Sequence, residues 1–266
     1  MSYSARPLQT MKLIYDDTVA IVTLSRPDAM NAMNGAFFED FQDILSELRA
    51  EANPVRALLI TAEGKGFCAG ADLKDQAGDM PPDLAILLRK NYNPLIMGLK
   101  NLPIPTIVAI NGATAGAGMS LVCACDIAIA AKQAYFLQAF VNIGLIPDAG
   151  STYFLPRMIG RARAVSMMML GEKLSAEEAV DFGIISKVVD QDDLMTEAMT
   201  LAQKLSKMPT KALVSIRKLL DSSEENTLEQ QLETEAVAQQ TAGHSPDFME
   251  GVMAFLQKRP PVFQGK

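Results

Sequence analysis

"PTIVAINGATAGAGMSLVCACDIAIA", residues 105–130, is the stretch on which the reading of the fold turns. It opens on a short run of apolar and β-branched residues. It then passes through a run of Gly and Ala, continues as an apolar segment that reads as a helix, and ends in a second β-type run. A buried strand, a small-residue loop, a buried helix and another strand in that order describe an α/β core. Glycine lets backbone approach a ligand closely. The first N–H groups of the following helix have no helical acceptor, so they point at whatever sits in front and favour negative charge.

A loop of the same kind lies upstream, where the strand "VRALLITA" (55–62) feeds "EGKGFCAGADL" (63–73). For either loop alone, tight packing of helix on strand is a sufficient explanation. Neither carries the Gly-Lys-Ser/Thr of a phosphate loop or a convincing dinucleotide fingerprint. Two such loops converging on one oxygen, however, supply two backbone donors for an enolate or tetrahedral oxyanion.

Outward from these loops, "MKLIYDDTVAIVTLSRP" reads as two strands across a turn at Asp16-Asp17, and Asn34 caps an amphipathic helix starting at Gly35. "PPDLAILLRKNYNPLIMGLKNL" (81–102) reads as helical, with Pro94 expected to kink or break it. "AYFLQAF" and "IISKVV" are further strands, while "GRARAVSMMMLG" and "SAEEAVDFG" are helices closing on glycine. From Asp190 onward the chain is nearly all helix.

The chain has 266 residues, about half of them apolar, so it supports a sizeable core. A net charge of −7 argues against nucleic acid as a partner. Three cysteines, at 68, 123 and 125, and a single His244 fit neither a disulfide framework nor a metal site, and suggest a reducing, cytoplasmic setting. No apolar run is long enough to cross a membrane, and the start of the chain has no signal-type apolar core.

One acid stands in unusual company. "NIGLIPDAGST" (142–152) places Asp148 at a sharp turn among apolar and small residues, where an ionised carboxylate is costly unless it is paired or has a task. It reads either as the N-cap of the helix that follows or as a group doing chemistry, and the two roles are compatible.

The motifs "AIVTLSRPDAMNAMN", "KGFCAGADL", "PTIVAINGATAGAGMSLVCACDIAIA", "IGLIPDAGSTYFLPRMIGRARA", "LSAEEAVDFGIISKVV" and "FLQKRPPVF", in that order, resemble the crotonase family of enoyl-CoA hydratases and isomerases. The resemblance runs from about residue 11 to the C-terminus. It implies an α/β fold, a spiral of repeated ββα units over residues 1–200 that holds the acyl-CoA site. A C-terminal helical region over 201–266 would drive assembly into a trimer or hexamer. It implies no cofactor beyond the coenzyme A carried by the substrate. Two backbone N–H groups hold the thioester oxygen in the family, and the matching positions are Ala71 and Ala117. Ala69, Gly70, Asp72 and Leu73 fall where the family contacts the coenzyme. Phe255 and Lys258 match a C-terminal pair that reaches a coenzyme on a neighbouring subunit.

The departures bear on the reaction. A hydratase of the family activates water with two glutamates, and the matching positions here are Ser120 and Phe140. Ser120 reads as a polar wall, a water anchor or a small helix residue, and Phe140 as part of an apolar wall beside Ile143 and Leu145. Asp148 is the matched carboxylate that remains. The pattern is closest to the phenylacetate-branch isomerases that turn an epoxide into an oxepin thioester and also shift double bonds. The expectation is an enoyl-CoA isomerase with Asp148 as proton shuttle. A hydratase working by a modified route, and a non-catalytic acyl-CoA-binding or RNA-binding member of the fold, stand as alternatives.

Overall fold

The computed structural model describes residues 8–75 and 83–266. Two strands, β1 (Met11–Asp16) and β2 (Val19–Leu24), pair antiparallel across the expected turn, and Asp17 takes the left-handed conformation there. Helix α1 (Gly35–Arg49) is capped as the sequence suggests: the Phe37 N–H donates to Asn34 Oδ1 at 3.0 Å. Its buried Phe37, Phe41, Ile44, Leu45 and Leu48 recur at helical spacing, which turns one face to the core.

A repeating unit then begins. Strand β3 (Ala57–Ala62) lies in a six-stranded sheet, and β4 (Gly66–Cys68) starts a four-stranded one. The helical stretch after it comprises α2 (Leu84–Leu87), a π-helical turn (Leu88–Tyr92) and α3 (Asn93–Lys100). The next turn of the spiral is β5 (Thr106–Ile110), β6 (Ala113–Ala115) and α4 (Ala117–Ala124). The third is β7 (Ile127–Ala131), β8 (Tyr135–Leu137), a 3₁₀ turn (Ala139–Ile143), α5 (Ser151–Ile159) and α6 (Arg161–Leu170). After β9 (Lys173–Ser175), α7 (Ala176–Phe182) and β10 (Lys187–Val189), the chain continues as α8 (Leu194–Ser206), α9 (Thr210–Ser223), α10 (Leu228–Gly243) and α11 (Pro246–Gln257).

The large sheet runs β1-β2-β3-β5-β7-β10, parallel from β2 onward; the small sheet runs β4-β6-β8-β9. Each ββα unit thus contributes one strand to each sheet, which is the spiral that the resemblance implies. One face of the large sheet is covered by α1, α3 and α4. The other is covered by α8, whose Leu194, Ala198, Ala202 and Leu205 meet Leu59, Ile107 and Ile129. A boundary at residue 200 falls inside α8, a helix that packs on the sheet.

Two expectations need correction. The segments 63–73 and 111–121 are more than loops, since each contains a three-residue strand. Pro94 does not break its helix. The π-turn shifts the register so that the Asn93 N–H reaches Leu88 O, five residues back, and the imide nitrogen of the proline falls where the register is already irregular. Pro81 and Pro82, at the start of the expected helix, lie outside the described residues.

Candidate active site

The first small-residue loop is fixed by an isolated parallel bridge between Met33 and Ala71. The Met33 N–H donates to Gly70 O at 2.7 Å, and the Asp72 N–H donates to Met33 O at 3.0 Å. This pairing uses the groups on either side of Ala71 and leaves Ala71's own N–H directed away from the bridge. Arg26 braces the same loop, donating to Ala32 O and to Asp72 Oδ2, the latter at 2.9 Å. That bond from Arg26 is the main reason the Asp72 carboxyl lies below the usual carboxylate range.

The second loop meets the first at Gly70. This residue has φ +90°, and a Cβ there would stand 2.9 Å from Ala115 O and 3.2 Å from Ala117 N. Only glycine allows so close an approach at that backbone angle. Ala117 is the first residue of α4, so its N–H has no acceptor in the helix. Two backbone N–H groups, on Ala71 and Ala117, therefore border one cavity of about 170 Å³.

Leu73, Leu84, Leu87, Leu88, Phe140, Ile143 and Leu145 give the cavity an apolar wall. The Phe140 ring stands against Gly116. In this wall the described residues place two titratable side chains, the Tyr92 phenol and the Asp148 carboxyl. Tyr92 stacks edge-on against Phe38 with ring centroids 4.6 Å apart.

Asp148 does not cap α5. The residue at the N-cap is Gly150, in the left-handed conformation and with no side-chain cap bond, because the turn carries the Asp148 side chain away from the helix start. Its Oδ1 is shut off from solvent and has no hydrogen-bond partner among the described residues. Burial pushes the carboxyl up from 3.8 to about 6. An ionisable group of that kind in an apolar cavity, beside two oriented N–H donors, has the arrangement of a proton acceptor.

The remaining candidates divide. Ala69, Ala71, Leu73, Ala117, Phe140 and Asp148 line the cavity. Gly70 and Asp72 shape it from behind. Ser120 does not line it: the residue is fully buried, with its hydroxyl bonded to Asp148 O at 3.1 Å and to Ser151 Oγ at 2.7 Å, so it makes no wall toward a ligand. Phe255 is largely exposed on α11 and borders a different hollow among α9, α10, α11 and the chain end. Lys258 is the C-cap of α11. Leu84, Leu87, Leu88 and Tyr92 belong to the segment 75–100 on which the pocket's shape is expected to depend, but none is singled out by the sequence; their apolar spacing is the signal of a core helix and does not say which end opens on a cavity.

Elsewhere, the Cys68 and Cys123 thiols are raised to about 12 by burial, which makes them inert. The described residues contain no group of three side chains able to hold a metal ion. No helix among them is long and apolar enough to cross a membrane. His244 is exposed at the end of α10, its Nδ1 2.9 Å from Gln240 O.

Comparison with known proteins identifies the family. Residues 15–266 match the family model described as enoyl-CoA hydratase/isomerase. The chain is 45% identical over 251 residues to the 1,2-epoxyphenylacetyl-CoA isomerase of Escherichia coli (strain K12), covering 93% of this chain and 95% of that one. It is 42% identical over 257 residues to a probable enoyl-CoA hydratase of Rhodobacter capsulatus, covering 97% and 98%. Among solved structures, a putative enoyl-CoA hydratase/isomerase from Mycobacterium abscessus superposes with a TM-score of 0.90 at 36% identity, covering 96% of this chain and all of that one.

Proposed function

Because the chain belongs to the enoyl-CoA hydratase/isomerase family, whose members act on acyl-CoA thioesters, we propose that it is an isomerase. In this reading one carboxylate, Asp148, moves a proton along the acyl chain while Ala71 and Ala117 hold the thioester oxygen. One observation carries the reading. Among the described residues the cavity is lined by one carboxylate, Asp148, whose buried Oδ1 has no partner, and Phe140 and Ser120 stand where a hydratase needs its two glutamates.

The chemistry follows from the thioester. Its α-proton becomes removable when two N–H donors stabilise the developing enolate oxygen. Asp148 as base takes a proton from the α-carbon of a 3-enoyl thioester and, as acid, returns it at the γ-carbon, giving the conjugated 2-enoyl thioester. Atoms and charge balance with no water, oxidant or further cofactor. The apolar wall serves the same end, since it excludes water and raises the base toward neutrality, where donor and acceptor forms are both accessible. Within this class, the E. coli relative's name supports a 1,2-epoxyphenylacetyl-CoA as substrate, and its conversion to an oxepin thioester is the specific reaction we propose. Exposed Leu228, Leu232 and Val237 on α10, a helix that buries none of its residues, support self-association as a trimer or hexamer.

The test is an acyl-CoA panel on wild type and Asp148→Asn. It follows the conjugated thioester absorbance from 3-hexenoyl-CoA, the fate of 1,2-epoxyphenylacetyl-CoA, and hydration of crotonyl-CoA. We expect isomerisation without appreciable hydration in wild type. The variant should lose about 10²–10⁴-fold in kcat, the usual contribution of a positioned base, with coenzyme A affinity unchanged. Faster hydration than isomerisation, or a fully active Asp148→Asn, overturns the proposal.

A further inference from the structure

Ser120 stands one helical turn after Ala117, on the same short helix. Its hydroxyl lies 3.1 Å from Asp148 O and 2.7 Å from Ser151 Oγ. Ser151 Oγ in turn lies 3.2 Å from Gln138 Nε2. All three side chains are fully buried. Each hydroxyl has one proton to give, and a carbonyl can only accept. The consistent direction is therefore Gln138 N–H to Ser151, Ser151 O–H to Ser120, and Ser120 O–H to Asp148 O. The Ser151 N–H adds a second donor to that carbonyl at 2.9 Å.

The turn needs such a clamp. Ala149 and Gly150 are both left-handed, at φ 48° and 85°. For Ala149, which carries a Cβ, that conformation is strained. The residue just before this strained pair is the one whose side chain enters the cavity.

We infer that Ser120 is a positioning residue: through Ser151 and the Asp148 carbonyl it locks the base to the helix that carries the Ala117 donor, so that base and oxyanion donors keep one register. A family hydratase places a carboxylate at this position. Here the position serves the turn, and the hydroxyl's proton is already engaged and does not anchor a water in the cavity. The inference rests on Asp148 being the base, and it also makes a claim about the protein without substrate.

That claim allows a test in two arms. In the first, protein labelled with ¹³C-aspartate is titrated, with the Asp148 carboxyl resonance assigned by its loss in Asp148→Asn. Burial is the cause of the raised value, and among the described residues the cavity wall otherwise contributes one titratable group, the Tyr92 phenol. Wild type should titrate near 6; Ser120→Ala, its turn freed toward solvent, should titrate lower, in the direction of an ordinary carboxyl. In the second arm, Ser120→Ala should lose about 10–100-fold in kcat for the isomerisation with KM unchanged, the scale expected for misplacing a catalytic group by an ångström or less. Ser151→Ala breaks the same chain from the other side and stands in if Ser120→Ala does not fold. A variant with wild-type midpoint and wild-type kcat overturns the positioning role. So does a loss of kcat and thermal stability at an unmoved midpoint, which marks Ser120 as packing. If wild type isomerises nothing but the midpoint moves, the clamp stands and the proposed reaction falls.

Discussion

Asp72 and Asp148 sit on two loops around the same cavity and meet opposite fates. Asp72 is held by Arg26 and by backbone donors, and its carboxyl lies below the ordinary range. Asp148 has an Oδ1 with no partner and a carboxyl raised by burial to about 6. The first is always charged at working pH and acts as a brace for the loop that presents the Ala71 N–H. The second changes charge near neutrality. The sequence gives both an acid among small residues; what separates them is whether a guanidinium is in reach. A carboxylate with a partner is a fixture, and one without a partner in an apolar wall is available for proton transfer.

The contrast is broken most forcefully at Gly70, where the braced loop touches the second one. Gly70→Ala would place a methyl 2.9 Å from Ala115 O at a backbone angle alanine resists. The loops must part, and the Ala71 and Ala117 donors with them. Loss of one such donor costs about 10²–10³ in kcat. The expected outcome is a drop of that size with Asp148 still titrating near 6. A fall in kcat together with a normalised Asp148 would mean that the two sides of the cavity are not independent.

Asp148→Asn sharpens the contrast in stability rather than rate. A carboxyl raised from 3.8 to about 6 binds its proton more tightly in the folded state. The fold therefore loses stability as pH rises from about 4 through 6, and the loss is complete above it. Asn is neutral throughout. The variant should be more stable than wild type at pH 7.5, by at most about 3 kcal/mol for a shift of this size, and no more stable at pH 4. Thermal melts at the two pH values check this. A variant less stable at pH 7.5 would show that the ionised carboxylate has a partner and is not strained.

Much of this site is written in the sequence, and the unwritten part has a physical reason. Ala71 and Ala117 were assigned by the resemblance alone, since tight packing of helix on strand is enough to explain either glycine-rich loop taken by itself. Asp148 was legible as an oddity, but its cap reading failed because a cap depends on two backbone angles, those of Ala149 and Gly150. The three-residue strands β4 and β6 were read as loop, since three small residues carry no periodicity. Pro94 was legible as a place of irregularity in its helix but not in the form it takes, because local steric rules omit the option of shifting to an i→i+5 register. The role of Ser120 depends on a contact with a residue 28 positions away and on Ser151 being buried beside it. Nothing local announces that a serine in a helix is a clamp.

The smallest expected effect lies on the braced side. Arg26→Ala removes the bonds to Asp72 and Ala32 O but leaves the Met33–Ala71 bridge intact. Both charged partners remain partly exposed, 23% and 13% by side chain, and pairs near the surface contribute about 1 kcal/mol or less. A lowered carboxyl stabilises the fold above its unfolded pKa and ceases to do so as acid protonates it. The difference between wild type and Arg26→Ala should therefore be present at pH 7 and fade in acid. For Asp148→Asn the difference likewise appears at neutral pH, but there the variant is the more stable protein. KM for the acyl-CoA should rise a few-fold as the loop loosens, with kcat nearly kept, because the bridge still aims the Ala71 N–H. If instead kcat falls as far as in Gly70→Ala, Arg26 and not the backbone bridge orients the donor, and the braced loop is as sensitive as the unbraced turn.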